Sequence, residues 1–598
     1  MKMSRNAYGI LLLAVASVPA LAQDADPPSR VARLNYLSGA VSFRPGSVDD
    51  WTAATLNYPM TTGDHLWTDA DARAEMHIGS TAIRMDSTTA MSILALDDAV
   101  AQISLTEGTI DVRLRYMAEG DIFEVDTPNA AIVLRRAGDY RISTRGDDNL
   151  TMAATKAGEA SIRAGGNEFP LLTGQGVRLA GQDTVTQELG PLPAPDDFEV
   201  WCQTRDRREA GTVSARYVPR ETIGYEDLDQ YGVWRMDPRY GWVWVPQGMP
   251  AGWAPYHYGH WAWVEPWGWT WIDDAPWGFA PFHYGRWAFT GFGWAWVPGS
   301  MEAAVGVVRV RPVYAPALVV FVGGGEFGVG AALGGGAGMA AWFPLGPGEV
   351  YRPAYRVSAA YVTNINIVSV RNVAPIGSVE VNVRYANQAV PGAMMVVPHD
   401  AFVNSRRVSE VAVVVPREQI VRARAIGFTA PMAPVRESVI ARPGDAVVRV
   451  PPQSLVARQV VVAHQPPPPP VKFADKERAL QSNGGRPLDP GQVNSLRRNA
   501  PDRNPLVRTP NPPAGGGARR PEAVRPEATR PPANDRPPTA RPAVNPQPEV
   551  RPAEARPAET RPIEAKPAEQ KPVEAAPAAH PAEKKAPPKK RSEQTQKK

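Results

Sequence analysis

Thirteen of the chain's 17 tryptophans fall between Trp234 and Trp296, and this crowding limits the possible folds more than any other feature. They recur in phase. Tyr231-Gly232-Val233-Trp234, Tyr258-Gly259-His260-Trp261 and Tyr284-Gly285-Arg286-Trp287 stand 27 and 26 residues apart. Each is followed by a companion: Gly241-Trp242-Val243-Trp244, Gly268-Trp269-Thr270-Trp271 and Gly293-Trp294-Ala295-Trp296. A period of this length marks a duplicated supersecondary unit. Within it, Trp-x-Trp puts two indoles on one side of an extended strand, because side chains alternate at period two. The glycine ahead of each pair permits a turn, and Pro246, Pro276 and Pro298 end strands or hold them at edges. The pattern predicts β-hairpins over residues 201–300 with their indoles on one face. That face has two uses. It is a recognition surface made of Trp242, Trp244, Trp269, Trp271, Trp294 and Trp296, since indoles stack on sugar rings, or it is the core of a β domain short of aliphatic residues.

Residues 28–185 read as an all-β unit. In Thr109-Ile110-Asp111-Val112-Arg113-Leu114-Arg115 apolar and polar side chains alternate strictly, which puts Ile110, Val112 and Leu114 on one face. Glu107-Gly108, Gly79-Ser80, Gly146-Asp147-Asp148 and Gly165-Gly166-Asn167 are expected turns. The stretch resembles the FecR-type domain, the extracytoplasmic module of iron-signalling regulators. The resemblance rests on Thr61-Thr62-Gly63-Asp64, Ala72-Arg73-Ala74-Glu75-Met76, Leu105-Thr106-Glu107-Gly108, Phe123-Glu124-Val125-Asp126-Thr127-Pro128, Ala137-Gly138-Asp139-Tyr140-Arg141-Ile142 and Thr173-Gly174-Gln175-Gly176. Regulators of that family carry a cytoplasmic segment and a transmembrane helix ahead of the domain. Here Lys2 and Arg5, an apolar run over residues 10–18 and Ala20-Leu21-Ala22 make a cleavable export signal, residues 1–22, with cleavage expected after Ala22. The run is too short to span a bilayer as a helix. The mature chain is therefore expected in the periplasm, at the cell surface or secreted, and not as an integral membrane protein. Direct control of a sigma factor is not expected.

After a linker at residues 186–200, the Trp repeats resemble an uncharacterised Trp- and Gly-rich domain found beside FecR-like modules in exported bacterial proteins. The likeness continues through Tyr314-Ala315-Pro316-Ala317-Leu318-Val319 and Trp342-Phe343-Pro344-Leu345-Gly346-Pro347-Gly348-Glu349. Residues 301–450 read as a β-rich continuation containing a glycine-rich loop, with short β-like runs such as residues 411–415. From residue 466 the chain is expected to be disordered. Proline recurs with Arg551, Arg556, Arg561, Lys566 and Lys571, and Phe473 is the only aromatic, too little apolar surface to offset chain entropy. The formal net charge of +4 splits accordingly. Residues 466–598 hold 26 Lys and Arg against 15 Asp and Glu, a net of +11, which leaves −7 for the rest. The fold class is thus mainly β: a FecR-like domain, a Trp-rich hairpin repeat domain and a disordered proline-rich tail. The single cysteine, Cys202, has no intramolecular partner and is expected as a free buried thiol, with crosslinking of a dimer as the alternative.

No catalytic constellation emerges. There is no Gly-x-Ser-x-Gly elbow, His-Glu-x-x-His or phosphate loop. His257 and His260 are three apart in an expected strand and so face opposite ways, and His257 and His283 occupy equivalent repeat positions suited to a structural hydrogen bond. No metal is expected, because zinc needs three or four convergent ligands. Asp273-Asp274-Ala275-Pro276 reads as a turn rather than an acid–base pair. The basic tail lacks the interleaved aromatics that stack on nucleic acid, so no nucleic-acid partner is expected. The chain is expected to be a non-enzymatic, cofactor-free cell-envelope protein that binds or scaffolds peptidoglycan, another envelope polymer or a protein partner. An accessory of FecR-type envelope signalling that senses a membrane partner, or a hydrolase of envelope polymers, are the alternatives.

Overall fold

The computed structural model describes residues 26–182, 184–299, 311–323, 338–367, 369, 384–441, 448–497 and 503–509. The chain divides into two units, Met1–Gly517 and Ala518–Lys598, and every described residue belongs to the first. The expected signal with Ala22, most of the glycine-rich loop and the tail past residue 509 lie outside the described residues.

The first module is all β, as its alternating side chains require. Its strands form two sheets that share one strand, Val100–Leu114. The first half of that strand pairs antiparallel with Thr89–Leu96 and parallel with Ile122–Asp126. The second half pairs with Thr81–Met85 and Gly138–Arg145. Glu107-Gly108, expected as a hairpin turn, is therefore a kink inside a continuous strand. Gly108 has a φ of +87°, and a Cβ there would meet Thr89 Oγ1 at 2.3 Å, so glycine alone lets the strand pass from one sheet to the other. The other three expected turns do connect antiparallel neighbours. Ile83, Ile110 and Val112 from one sheet share a buried core with Ile93, Ile103 and Val125 from the other.

Residues 186–200 are not a linker. Thr186–Pro191 pairs with Gln175–Ala180 as a further strand of the first module. The helix Asp197–Ala210 follows at once, capped by Asp196, whose carboxylate accepts from the Glu199 N–H at 2.9 Å. Cys202 on this helix is a free, buried thiol.

The repeats fold as hairpins: Gly232–Asp237 with Gly241–Pro246, Gly259–Val264 with Gly268–Asp273, and Arg286–Thr290 with Gly293–Val297. Indoles stand directly opposite one another, Trp234 with Trp244, Trp261 with Trp271, Trp263 with Trp269 and Trp287 with Trp296. Gly241, Gly268 and Gly293 have φ values of 76°, 87° and 86°, the left-handed conformation the hairpin turns demand. The first and third hairpins join where Trp244 meets Trp296, making a four-stranded sheet. In the middle hairpin Trp261 packs 5.2 Å from Phe321 and 5.3 Å from Trp342, ring to ring. Those residues belong to a second four-stranded sheet, ordered Met395–Pro398, Met339–Pro344, Val319–Gly323, Arg424–Gly427. The Trp repeats and the β-rich continuation thus share a core, and no boundary falls at residue 300. Residues 411–415, expected as a β-like run, instead leave the short helix Val408–Val411 as extended chain, with only the Val413 N–H reaching Val396 O.

Residues 466–497 and 503–509 are not structureless either. With residues 448–465 they form a strap over both modules, including the helices Phe473–Ser482 and Pro490–Leu496. Phe473 and Leu480 are buried, and the Lys476 ammonium reaches Glu265 on the middle Trp hairpin.

Candidate functional site

Direct pairing places Trp234, Trp244, Trp287 and Trp296 on one face of the four-stranded Trp sheet, with Met236, Trp242, Phe289 and Trp294 following at period two. The middle of that face is core. Trp244 and Trp296 are wholly buried and Trp294 nearly so, and in the separate middle hairpin Trp271 is wholly buried and Trp269 nearly so. Four of these indoles donate their N–H inward: Trp244 to Leu228 O at 3.0 Å, Trp269 to Met432 O at 2.9 Å, Trp271 to Asp273 Oδ2 at 3.0 Å and Trp296 to Tyr284 O at 2.8 Å. A buried indole with its N–H satisfied inside is a packing residue, so five of the six indoles proposed as a stacking surface are core. Trp242 alone keeps 45% of its surface in water. It sits at the open end of the sheet, with Met236 directly across the strand pair. The Tyr217 ring lies 5.0 Å away and itself stacks on Trp234 at 4.4 Å.

Of the repeat's histidines, His283 makes the expected structural hydrogen bond, whereas His257 Nδ1 and both ring nitrogens of His260 have no hydrogen-bond partner among the described residues. His283 Nδ1 bonds to Ala315 O at 2.7 Å, and burial drives both His260 and His283 down to about 3, leaving the rings neutral. His257 precedes the strand Gly259–Val264 rather than lying in it. Asp273 accepts from Ala275 N and Trp271 Nε1, each at 3.0 Å, and so shapes the turn that Asp273-Asp274-Ala275-Pro276 predicts.

The strongest concentration of charge lies where the first module meets the helix Asp197–Ala210. His77 is buried, with Nδ1 2.6 Å from Glu226 and Nε2 3.0 Å from Glu75 and 3.4 Å from Glu209. Burial opposes a charge on the ring, but the carboxylates of Glu226 and Glu209 outweigh it and hold the imidazole well above its ordinary range. Burial likewise works against the Glu226 carboxylate, yet His77 and then Arg33 bring it down to about 2. Arg84 bonds Glu75 at 2.7 Å and Asp206 at 2.9 Å, and Arg205 clasps Glu75 from the helix. Arg33 carries the network on to the Trp repeats: it bonds Asp227 at 2.7 Å, Asn57 at 2.8 Å and Pro276 O at 2.8 Å. Nearby, Lys156 sits between Asp111, Asp139 and Glu199 at 2.6–2.8 Å. Glu75, His77 and Glu209 are the one trio of convergent metal-type ligands among the described residues. Guanidinium groups already occupy both carboxylates, so a divalent cation would meet Arg84 and Arg205 at close range, and the group is an ion-pair joint rather than a metal centre. Its members are scattered over some 130 residues of sequence, and of them only Glu75 falls in a motif the sequence offers, Ala72-Arg73-Ala74-Glu75-Met76.

A cavity of about 280 Å³ lies between the modules and the strap, lined among others by Tyr58, Trp263, Pro266, Trp267 and Leu480. Its acids are engaged, Asp64 by the N–H groups of Gly46 and Thr61 and Glu265 by Lys476, so it offers little to orient a ligand. Among the described residues no helix is long and apolar enough to cross a membrane.

Residues 225–349 match the model of a family described as "Family of unknown function (DUF6600)", which covers the three hairpins and two strands, Val319–Gly323 and Met339–Pro344, of the sheet that shares their core. Two crystal structures of a candidate anti-sigma factor from Parabacteroides distasonis ATCC 8503 show a weak likeness, at 15% and 14% identity, each over 23% of this chain with a TM-score of 0.21. The chain covers 64% of the length of each. No curated protein matches the chain.

Proposed function

We propose that this chain is a non-enzymatic protein of the bacterial cell envelope, exported behind a signal cleaved after Ala22. Its FecR-like module carries the Trp repeats, and these hold an envelope glycan, peptidoglycan first, at the open end of their sheet. The observation that supports this reading most is the half-exposed indole of Trp242, backed by the Tyr217 ring at 5.0 Å, beside the exposed Met236 at the open end of the sheet. Two adjoining aromatic rings, one in water and one anchored beneath, form a platform on which a sugar ring stacks through apolar contact. The buried ion pairs around His77 and Arg33 give that platform a rigid mount, because they tie the repeats to the first module.

The test is cosedimentation of the full mature chain with purified peptidoglycan at low and high salt, beside Trp242→Ala. Recognition by the platform is expected to resist salt and to fall about tenfold or more on substitution, as for a central aromatic contact. The thermal transition should stay unchanged. Equal pelleting of the variant, or pelleting that high salt abolishes, would remove the reading.

A further inference from the structure

Glu124 and Asp126 stand on the strand Ile122–Asp126 with their side chains completely buried. Parallel pairing sets Gln102 beside Glu124, and its Nε2 bonds Asp126 at 2.8 Å. Two buried carboxyls side by side are costly unless paired, and burial together with Glu124 pushes Asp126 well above the usual carboxyl range. Apart from Gln102 and Asp126, the partners of Glu124 come from one stretch of the strap. Its Oε1 accepts from the Ala463 N–H at 2.6 Å and the His464 N–H at 3.3 Å, and Oε2 meets His464 Nδ1 at 2.5 Å.

The same stretch is read along its backbone. Gln102 Nε2 donates to His464 O at 2.8 Å, Arg163 to Ala463 O at 3.4 Å, and the Val461 N–H to Thr127 O at 2.9 Å. The register of Thr89–Leu96 against Val100–Leu114 slips between Ile93 and Ala95, as at a bulge. Leu94, within that slip, packs with Val460 and Val462 in a small cluster separate from the main core.

We infer that this face of the first module is a peptide-binding site, that residues 460–464 are its resident occupant in cis, and that an extended segment of the same chemistry displaces them in trans. That chemistry is three apolar residues, a small residue and a histidine. Backbone bonds supply the grip, from the first module on one edge and from residues 506–508 on the other, while Leu94 and the Glu124 carboxylate select side chains, as in other captures of an extended peptide. Because the apolar anchor is a satellite cluster, the segment can leave without opening the main core.

The test uses the full chain and a labelled synthetic peptide of residues 457–466. Val461→Pro removes the N–H given to Thr127 and His464→Ala the imidazole, so the doubly substituted chain should bind the peptide at least about tenfold tighter than the unsubstituted chain, whose own strap competes at high effective concentration. A peptide with Ala in place of the histidine should bind about tenfold more weakly than the native peptide, the loss expected for one charge-assisted bond. If the double variant does not fold, His464→Ala alone takes its place with the same readings. Absence of peptide binding to a variant that retains its thermal transition, or equal binding of a scrambled peptide, would overturn the site.

Discussion

His77 shows at the scale of one residue how the two halves of the body are held. Glu75, Glu209 and Glu226 surround it from the first module, the helix Asp197–Ala210 and the turn ahead of the Trp repeats. Its folded value lies above the ordinary 6.5, so its contribution is complete below that pH and is lost as pH rises through the folded value. Glu226 works from the other side. At about 2 against an ordinary 4.5, its contribution is complete above 4.5 and fails as pH falls toward 2. Asp64 and Asp111 are both pushed up to about 7 by burial, so their share declines between 3.8 and about 7. His77 contributes less as pH rises past about 7, where Asp64 and Asp111 have already lost their share. The buried neutral His260 and His283, at about 3 against an ordinary 6.5, instead cost stability as pH falls below 6.5. Urea unfolding should therefore give a higher midpoint at about pH 7 than at about pH 9. His77→Gln should cost about 3–5 kcal/mol at about pH 5, the penalty for stranding buried carboxylates, and should flatten the alkaline fall. A wild-type midpoint as high at about pH 9 as at about pH 7 would refute this assignment of charges.

Elements differ in how plainly they are written in the chain. The Trp hairpins are legible because Trp-x-Trp and its preceding glycine specify strand, face and turn together, and each expected hairpin forms. What such a pattern leaves open is which side of the sheet a neighbour covers. Trp261, Trp269 and Trp271 are buried against residues of the later sheet and of the chain beyond it, while Trp234 stays half-buried and Trp242 half-exposed. Glu107-Gly108 looks like a turn because glycine marks both turns and close approaches, and only the contact with Thr89 tells them apart. The helix Asp197–Ala210 escapes a search for apolar periodicity because Glu199, Arg205, Asp206 and Glu209 dock it on the sheet by charge. Its end signals were nevertheless present: Asp196 as cap, Asp197 and Glu199 in the first turn, Arg207 and Arg208 in the last. Asp196→Ala should therefore lower stability by about 1–2 kcal/mol, since it removes the cap and a two-pronged contact with Arg141. Asp197→Ala, which removes only a favourable charge, should lower it by about 0.5 kcal/mol. Thermal melts of the two variants compare them directly, and equal shifts would deny Asp196 its capping role.

For the whole molecule, composition draws the boundary of the folded body in the wrong place. Residues 466–497 share the proline content of the tail, and by themselves they have too few apolar groups to fold. They fold because other parts of the chain supply the burial. Val471, Phe473 and Leu480 are all buried, and the Lys476 ammonium is buried against Glu265. An average over a window cannot see a partner surface assembled from residues hundreds of positions earlier. The strap therefore acts as a clasp, and its worth is measurable. A chain ending at residue 465 loses three buried apolar side chains at roughly 1.5–3 kcal/mol each, so it should be less stable than a chain ending at residue 509 by on the order of 5 kcal/mol. It should also expose the indoles of Trp263 and Trp267, which line the cavity under the strap, and so redden the tryptophan emission while the surroundings of the other hairpin indoles stay unchanged. Urea unfolding of the two truncated chains, followed by that emission, checks both effects at once. Coincident transitions with identical starting spectra would mean that the strap rests on the body without holding it.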